Sequence, residues 1–433
     1  MTDFDHTLAP HEVRKIAADA FVFGFPLVLV DLVRRAHPVG ANQVLHLPDD
    51  AADVAPGLRG GDPRTVQSSA WIDLSAGPMT VQLPAVGGRH LSVTLVDAWG
   101  EPVPALAERR HSSEGLSLII AGPQWLGELN PESTVLRAPT DAVWLVTRLT
   151  ADSIADRETA RTLLANQQIS PYEGTCDPPA FAPPILESPV RASVEAIADL
   201  PPEIFLHRLA VLLARHPYAQ TREDLDGLAQ IGVIPGRPYV PPRRDSKAHQ
   251  AAIRGLADGL GRIKHAAAPA HPSGGWRQLY SPPPHRNPLE RASAALSGLG
   301  APAADSILHM ICETDHEGRP LSGGERYECC FPASEHPPAE AFWSLSLYDR
   351  PPHGELLLHR QALSDRDRLQ PETTGDLRLL VQHTPPSPDH ATNWLPSPSG
   401  EFALVLQLFG PKTQVLSGAW SPPPLRRIGA AIR

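Results

Sequence analysis

The chain has 433 residues, enough for two or three domains with a full-sized core. Apolar residues make up 42% and charged residues 20%, an ordinary balance for a soluble globular protein. Lys and Arg number 38 against 48 Asp and Glu, and the net charge of −10 argues against a nucleic-acid backbone or an anionic membrane as partner, since both need a basic face. Proline is abundant at 49 residues, with 32 glycines, and both are spread through the chain, which predicts many turns and rigid connections. The start, MTDFDHTLAPHE, is acidic where a secretory signal has a basic region, so the expected location is the cytoplasm.

Helical spacing of Val13, Ile16, Ala17 and Ala20 opens a helix over Glu12–Ala36, which Gly24 and Pro26 should bend or break. Within it Ala20–Val30 is too short to span a bilayer and reads as buried core. Strands follow at Ala70–Leu74, Met79–Leu83, His90–Ala98, Leu116–Ile120, Thr134–Ala138 and Ala142–Leu149. The middle is helical: Asp152 or Ser153 to Gln168, a helix from Pro201-Pro202, one capped by Thr221 and stopped at Gly232, Ser246–Ala268, and one from Asn287-Pro288. The stripes there are Ile204, Phe205, Leu209, Leu212 and Leu213, then Ile253, Leu256, Leu260 and Ile263. Proline-rich joints stand at Pro178–Pro184, Pro235–Pro242 and Pro282–Pro284. Strands return at Ile307–Cys312, Arg326–Phe331, Phe342–Tyr348, Leu356–Leu358, Leu377–Gln382, Phe402–Phe409 and Gln414–Leu416. The fold class is mainly β with an α insert: an N-terminal β domain with a leading helix (1–151), a helical bridge (152–303) and a C-terminal β domain (304–433). Short strands with turns at modest spacing suit antiparallel sandwiches or barrels, and no exact internal repeat is visible.

On the strand Phe342–Asp349, Phe342, Ser344, Ser346 and Tyr348 share one face, and Trp343, Leu345, Leu347 and Asp349 the other. Arg89 and His90 enter a strand after Gly87-Gly88. They suit an anion or carbonyl partner beside a titratable imidazole, or equally a strand-edge pair with one residue in and one out. Asp62 and Arg64 lie on a loop ahead of a strand, as binding groups or a surface ion pair. Asp97, Trp99 and Asp349 close strands, where a carboxylate binds a hydroxyl or a metal, or caps a turn. Trp71, Trp99 and four other tryptophans are core or pocket lining. The 19 histidines include no HxH and no HExxH, and the four cysteines no CxxC, so no metal is expected. Ser68-Ser69 lacks the G-x-S-x-G elbow, and Ser322-Gly323-Gly324 is a turn. No nicotinamide, flavin or haem signature is present, and no cofactor is expected.

Several segments, in order, carry a resemblance: PLVLVDLVRR (Pro26–Arg35), SSAWIDL (Ser68–Leu74), GGRHLSVTLVDAW (Gly87–Trp99), AGPQW (Ala121–Trp125), IGVIPG (Ile231–Gly236), TDHEGRPLSGGERYECCF (Thr314–Phe331), AFWSLSLYDR (Ala341–Arg350) and NWLPSP (Asn393–Pro398). Together they resemble the bacterial DUF1254/DUF1214 proteins. The resemblance implies two jelly-roll-like β domains bridged by helices. It also marks departures. Where such proteins usually read Asn-x-Asp-Thr-x-Tyr, this chain has Asp62-Pro63-Arg64-Thr65-Val66-Gln67, and where they have Arg-Tyr it has Arg89-His90. Late in the chain Gln407 and Phe409 replace Arg and Tyr.

Two functions stay open from the sequence. One is an enzyme, hydrolase-like, acting on a small organic molecule, with Arg89 orienting, His90 moving a proton, Asp97 hydrogen-bonding, and Asp62, Arg64, Trp71, Trp99, Tyr348 and Asp349 lining the cleft. The other is a non-catalytic small-molecule-binding or scaffold protein. Expected partners are a small-molecule ligand, no nucleic acid and no membrane; a homo-oligomer stays open.

Overall fold

The structure, a computed structural model, describes residues 8–47, 58–59, 62, 64–103, 115–153, 155–173, 189–217, 222–267, 274–279, 287–350 and 356–430. Cys176, the Thr221 cap and the joints Pro178–Pro184 and Pro282–Pro284 lie outside the described residues. In chain order the N-terminal part gives α1 (Pro10–Ala36), β1 (Val44–His46), β2 (Leu58–Arg59), β3 (Thr65–Asp73), β4 (Met79–Leu83), β5 (His90–Asp97), β6 (Leu116–Ala121), β7 (Thr134–Arg137), β8 (Ala142–Thr150), α2 (Arg157–Leu164) and β9 (Gln168–Pro171). Then come α3 (Pro189–Ala198), α4 (Pro202–Arg215), α5 (Arg222–Gln230), α6 (Lys247–Ala266), β10 (Trp276–Gln278) and α7 (Pro288–Gly298). The C-terminal part holds β11 (Ile307–Cys312), β12 (Glu325–Phe331), β13 (Ala339–Asp349), β14 (Leu356–Ser364), β15 (Leu377–Gln382), β16 (Trp394–Pro396), β17 (Phe402–Pro411), α8 (Thr413–Leu416) and β18 (Arg426–Ala430).

The fold is mainly β with a helical layer, and its strands form two sandwiches. In the N-terminal lobe the sheet β1-β3-β8-β5 faces the sheet β7-β6-β4-β9 across Ile72, Val143, Leu145 and Leu95 on one side and Val81, Leu118 and Ile120 on the other. In the C-terminal lobe β10-β11-β17-β13-β14-β2 faces β16-β15-β12-β18 across Leu345, Leu404, Leu406, Cys329, Leu379 and Val381. These two strand orders are one topology used twice. Each lobe opens with a short strand on the edge of its first long strand, its last long strand sits between the first and third, and its closing strand pairs with the second. Even the parallel pairing recurs, as β6 with β7 and β15 with β16. The C-terminal lobe adds β14, and β2 from the other half of the chain pairs with it in parallel, so the two lobes share backbone hydrogen bonds. The sequence shows no repeat because the period-two burial pattern is kept while the residue identities are not.

α1 is one unbroken helix, so Gly24 and Pro26 do not break it. A proline costs an isolated helix a hydrogen bond and a steric clash. Here the segment is held on every side. Phe21 stacks on Phe205 at 4.4 Å, Phe23 meets the edge of Trp99 at 5.3 Å, and a Cβ on Gly24 would stand 2.7 Å from the Leu209 side chain. By length and composition the whole helix is sufficient to cross a membrane, but its apolar stretch is mostly buried inside the fold. α6 crosses it closely: Cβ atoms at Gly255 and Gly259 would fall 2.3 Å and 2.9 Å from the carbonyl oxygens of Arg14 and Ala18.

Two helices begin at the residues expected, Ser246 and Asn287, and each residue caps its helix. Ser246 Oγ accepts from the His249 N–H at 3.1 Å, and Asn287 Oδ1 from the Glu290 N–H at 3.0 Å. Other expectations need correction. The helix expected from a cap at Asp152 or Ser153 to Gln168 runs only from Arg157 to Leu164, and Gln168–Pro171 pairs with β4 instead. Gln414–Leu416 is helical in α8, since the chain has left the sheet after Pro411. Ile204 and Ile253 are both 41% exposed, so neither belongs to its helix's buried stripe; Leu206 and Ala252 are buried there instead.

Asp31 ties the helical layer together. Its carboxylate accepts from Arg34 (3.0 Å), Arg35 (2.7 Å) and Arg208 of α4 (3.0 Å). Burial pushes this carboxyl up, but the hydrogen bonds from Arg35 and Arg34 outweigh it and hold it below its ordinary value. Asp31→Ala removes the shared acceptor of three guanidinium groups, all of which reach solvent. We expect a loss of about 3 kcal/mol in urea unfolding, the low end for a broken buried pair.

Candidate functional site

Both sandwiches turn a polar strip toward one another. On the N-terminal side the even residues of β5 and β8 and the odd residues of β3 face inward, and registration lines them up in rows. One row is Thr65, Thr150 and His90; the next is Gln67, Arg148 and Ser92. On the C-terminal side β11, β17, β13 and β14 align His309, Gln407, Ser344 and Ser364. Setting Asp97 against Asp349, which close β5 and β13, makes Gln67–Arg148–Ser92 the counterpart of His309–Gln407–Ser344. Polar residues at the centre of otherwise apolar strands are the mark of this strip.

The contacts across it are reciprocal. Ser306, just ahead of β11, donates to Ser92 on β5 at 3.0 Å. Asp62, just ahead of β3, accepts a short hydrogen bond from Ser344 on β13. Each lobe thus sends the segment before its first long strand to the third long strand of the other. Arg148 donates to the Gly300 carbonyl at 2.8 Å, and only glycine fits there: its φ is +77°, and a Cβ would lie 2.5 Å from the Trp144 ring. Arg64 donates to both carboxylate oxygens of Asp367 at 2.8 Å, and Arg366 to Asp152 at 2.8 Å. Arg366 also lies 4.0 Å over the Phe342 ring, which stacks on Phe409 at 4.0 Å, and His90 meets Phe409 edge-on at 5.5 Å.

The strip is buried and unevenly satisfied. Burial, with Arg148 nearby, drives the His309 pKa down to about 3, so the ring is neutral and its Nε2 accepts from the Gln407 amide at 2.8 Å. Among the described residues Gln407 Oε1, Ser346 Oγ, Thr94 Oγ1 and the Nε and Nη1 of Arg64 are buried with no hydrogen-bond partner. Gln407 is 3% exposed and Arg64 4%. A buried polar group left without a partner costs roughly 1–3 kcal/mol, so several together mark a place where something polar belongs.

The nine residues expected at a site fall into several places. Asp62, Arg64 and His90 belong to the interlobe strip. Arg89 does not: its guanidinium pairs with Asp156 at 2.6 and 2.7 Å and donates to the Val86 carbonyl. That hydrogen bond lowers Asp156 to about 2. Asp97 stands seven residues beyond His90 on one strand, roughly 23 Å away at ordinary strand rise. Arg89, His90 and Asp97 therefore do not converge. Trp71 stacks on Trp144 at 5.6 Å, and Trp99 donates to the His216 carbonyl; both are packed between sheet and helices. Tyr348 is buried with Ile311, Ala403 and Val405 further along β13, where Asp349 ends the strand opposite Phe402. Ser68 donates to Gln167 at 2.8 Å, and Ser69 accepts from the Trp144 indole at 2.8 Å. Among the described residues no three His, Cys, Asp or Glu side chains stand together as metal ligands. Buried Cys312 has its thiol pushed up to about 12 and stays protonated.

Sequence reasoning noted Gln407 as a departure, and it gave Arg148, His309, Ser306 and Gly300 no place at a site. A signal existed for three of these: ILHMIC, WLVTRLT and LVLQLF each carry one large polar residue inside an apolar strand.

Two family profiles match the chain: "Protein of unknown function (DUF1254)" over residues 41–171 and "Protein of unknown function (DUF1214)" over residues 306–413. The chain belongs to the DUF1254/DUF1214 domain-containing family. The first profile spans β1 to β9 and the second β11 to β17, so each takes in most of one lobe of this family member. No curated protein matches it. Among solved structures it is similar to the VPA0106 protein of Vibrio parahaemolyticus, at 18% identity and a TM-score of 0.70, over 96% of this chain and 100% of that one. A putative uncharacterized protein from Burkholderia cenocepacia aligns over 96% of this chain and 94% of its own, at 12% identity and a TM-score of 0.47. The first likeness shows that the fold is shared.

Asp97 gives a pH test. Its Oδ1 accepts from the N–H groups of Trp99 (2.8 Å) and Glu101 (3.0 Å), closing a D-x-x-G-x-P turn. Asp315 closes the same turn in Asp315–Pro320, accepting from Glu317 and Arg319. Burial raises Asp97 to about 6, with Glu101 adding to the rise; at Asp315 burial also pushes upward, but hydrogen bonds from Arg319 overcome it and the net shift is down. The folded Asp97 pKa of about 6 exceeds the unfolded one, so its charge costs nothing below pH 4 and costs fully above pH 6, about 3 kcal/mol. Asp97→Asn keeps the acceptor and removes the charge. We expect it to be as stable as the native chain at pH 4 and more stable at pH 8; an equal gap at both pH values would contradict this.

Proposed function

We propose that this protein is a non-catalytic binder of a small carboxylate, held between its two lobes. The observation that carries this reading is the set of buried polar atoms left over in the interlobe strip, above all the Arg64 Nε and Nη1 donors. A carboxylate is the natural counterpart of spare guanidinium N–H groups. Gln407 Oε1, a bare acceptor nearby in the strip, calls for a hydroxyl or N–H on the same molecule. The hydroxy acids are the simplest class that offers both. Catalysis is the weaker reading because Arg89 and Asp97 are engaged elsewhere, and the neutral His309 is too weak a base to take a proton near pH 7.

The test is a thermal-shift series with small mono- and dicarboxylic acids, with and without a hydroxyl. A ligand at 100 times its Kd stabilises by about 2.7 kcal/mol. We expect hydroxy acids to stabilise the native protein most. Arg64→Met should abolish the response, and Gln407→Leu should remove the preference for the hydroxyl. No stabilisation by any acid, or an unchanged response in Arg64→Met, would refute the proposal.

A further inference from the structure

Arg64 already carries a carboxylate from its own chain. Asp367, on the turn after β14, brings both of its oxygens to 2.8 Å from Arg64, yet both accept from a single nitrogen, Nη2. Nε and Nη1 stay buried and without a partner. Other pairs in this protein are made differently. Arg89 holds Asp156 through Nε and Nη2, and Arg14 holds Asp258 through the same two nitrogens. An arginine–carboxylate pair is strongest when two nitrogens donate side by side. In the planar guanidinium Nε–H runs parallel to one N–H of Nη2, and Nη1 forms its own fork with Nη2. Every two-nitrogen grip on Arg64 therefore needs the nitrogen that Asp367 holds.

The contact is built to be exchanged. The Asp367 side chain is 37% exposed and that of Arg64 only 5%, so the carboxylate stands on the solvent side of the guanidinium. The Asp367 backbone is held inside its turn: its N–H donates to the Ser364 carbonyl and its carbonyl accepts from the Leu369 N–H, each at 2.9 Å. The carboxylate can swing away without unfolding that turn. Arg64 does not depend on it either, since its N–H donates to Asp62 Oδ1 at 2.8 Å and its carbonyl accepts from the Ala151 N–H at 2.9 Å. Arg366, next to Asp367, still joins the lobes through Asp152 when Asp367 leaves.

We propose that Asp367 is a built-in competitor of the ligand: it holds Arg64 Nη2 in the ligand-free protein, and the ligand carboxylate displaces it to take Nη2 together with a second nitrogen. This rests on the carboxylate reading of the interlobe strip. Binding then draws on the fraction of molecules in which Arg64 is free, and the apparent affinity falls by that fraction. A free fraction of about one in ten weakens binding about tenfold.

The experiment is calorimetric titration of the full chain with glycolate, L-lactate and L-malate. We expect Asp367→Asn to bind the preferred acid about tenfold more tightly than the native chain does. Adding Arg64→Met to Asp367→Asn should abolish the gain. Asp245→Asn removes the same charge from an exposed pair with Arg243 ahead of α6, and it should leave the affinity unchanged. A crystal structure of the native chain with the acid should show the ligand carboxylate on Nη2 and a second nitrogen of Arg64, with Asp367 turned away. Equal or weaker binding by Asp367→Asn, the same gain in Asp245→Asn, or Asp367 still on Nη2 beside the bound acid would overturn the competitor and leave the carboxylate reading standing. No binding of any acid by either the native chain or Asp367→Asn would overturn both.

Discussion

The architecture depends on one constraint: neither sandwich can leave the polar side of its central sheet bare of partners. Each lobe has an apolar interior of its own, closed between its two sheets. The opposite faces of the central sheets carry Arg148, Ser92, His309, Gln407 and Ser344 on strands whose neighbours exclude water. Such groups must be matched, because a buried polar atom without a partner costs more than a matched one returns. The lobes match one another: Ser306 reaches Ser92, Asp62 accepts a hydrogen bond from Ser344, and Arg148 finds Gly300. The β2 strand adds backbone hydrogen bonds to the same join. Relative placement of the lobes is thus fixed by directional bonds as well as by apolar contact.

The helical layer completes the arrangement. It covers the end of the N-terminal central sheet where the inward residues turn apolar, at Trp71, Trp144 and Val96, and leaves the polar end to the other lobe. α1 is the keystone, gripped by α6 through two glycines and anchored to α4 by Arg208 on Asp31. This explains how Pro26 sits mid-helix without a break: the surrounding packing holds the backbone where local propensity alone would not.

Much of the strand pattern was legible in the sequence, because alternation of buried and exposed residues is a local property. Met79–Leu83, Ile307–Cys312 and Leu377–Gln382 have the boundaries that periodicity assigns. The starts of α6 at Ser246 and of α7 at Asn287 were legible for the same reason. Short edge strands such as β1, β9 and β10 were not, since three or four residues carry too little pattern, and their existence depends on a neighbour that offers free backbone groups. The site was harder still. Arg89 and His90 are adjacent in sequence, but strand alternation sends one to Asp156 and the other toward Phe409. His309 and Arg148 are separated by more than a hundred residues, and only the docking of the lobes brings them near each other.

The repeated topology also explains a difference between the two halves. In a dimer of identical chains, any residue near the twofold axis faces its own copy, so an arginine there meets a second arginine. A tandem arrangement within a single polypeptide escapes that rule. Here the counterpart of Arg148 is the uncharged Gln407, and the counterpart of Gln67 is His309. Within one polypeptide the two positions are free to differ, so one half holds a positive charge at Arg148 that its counterpart Gln407 lacks.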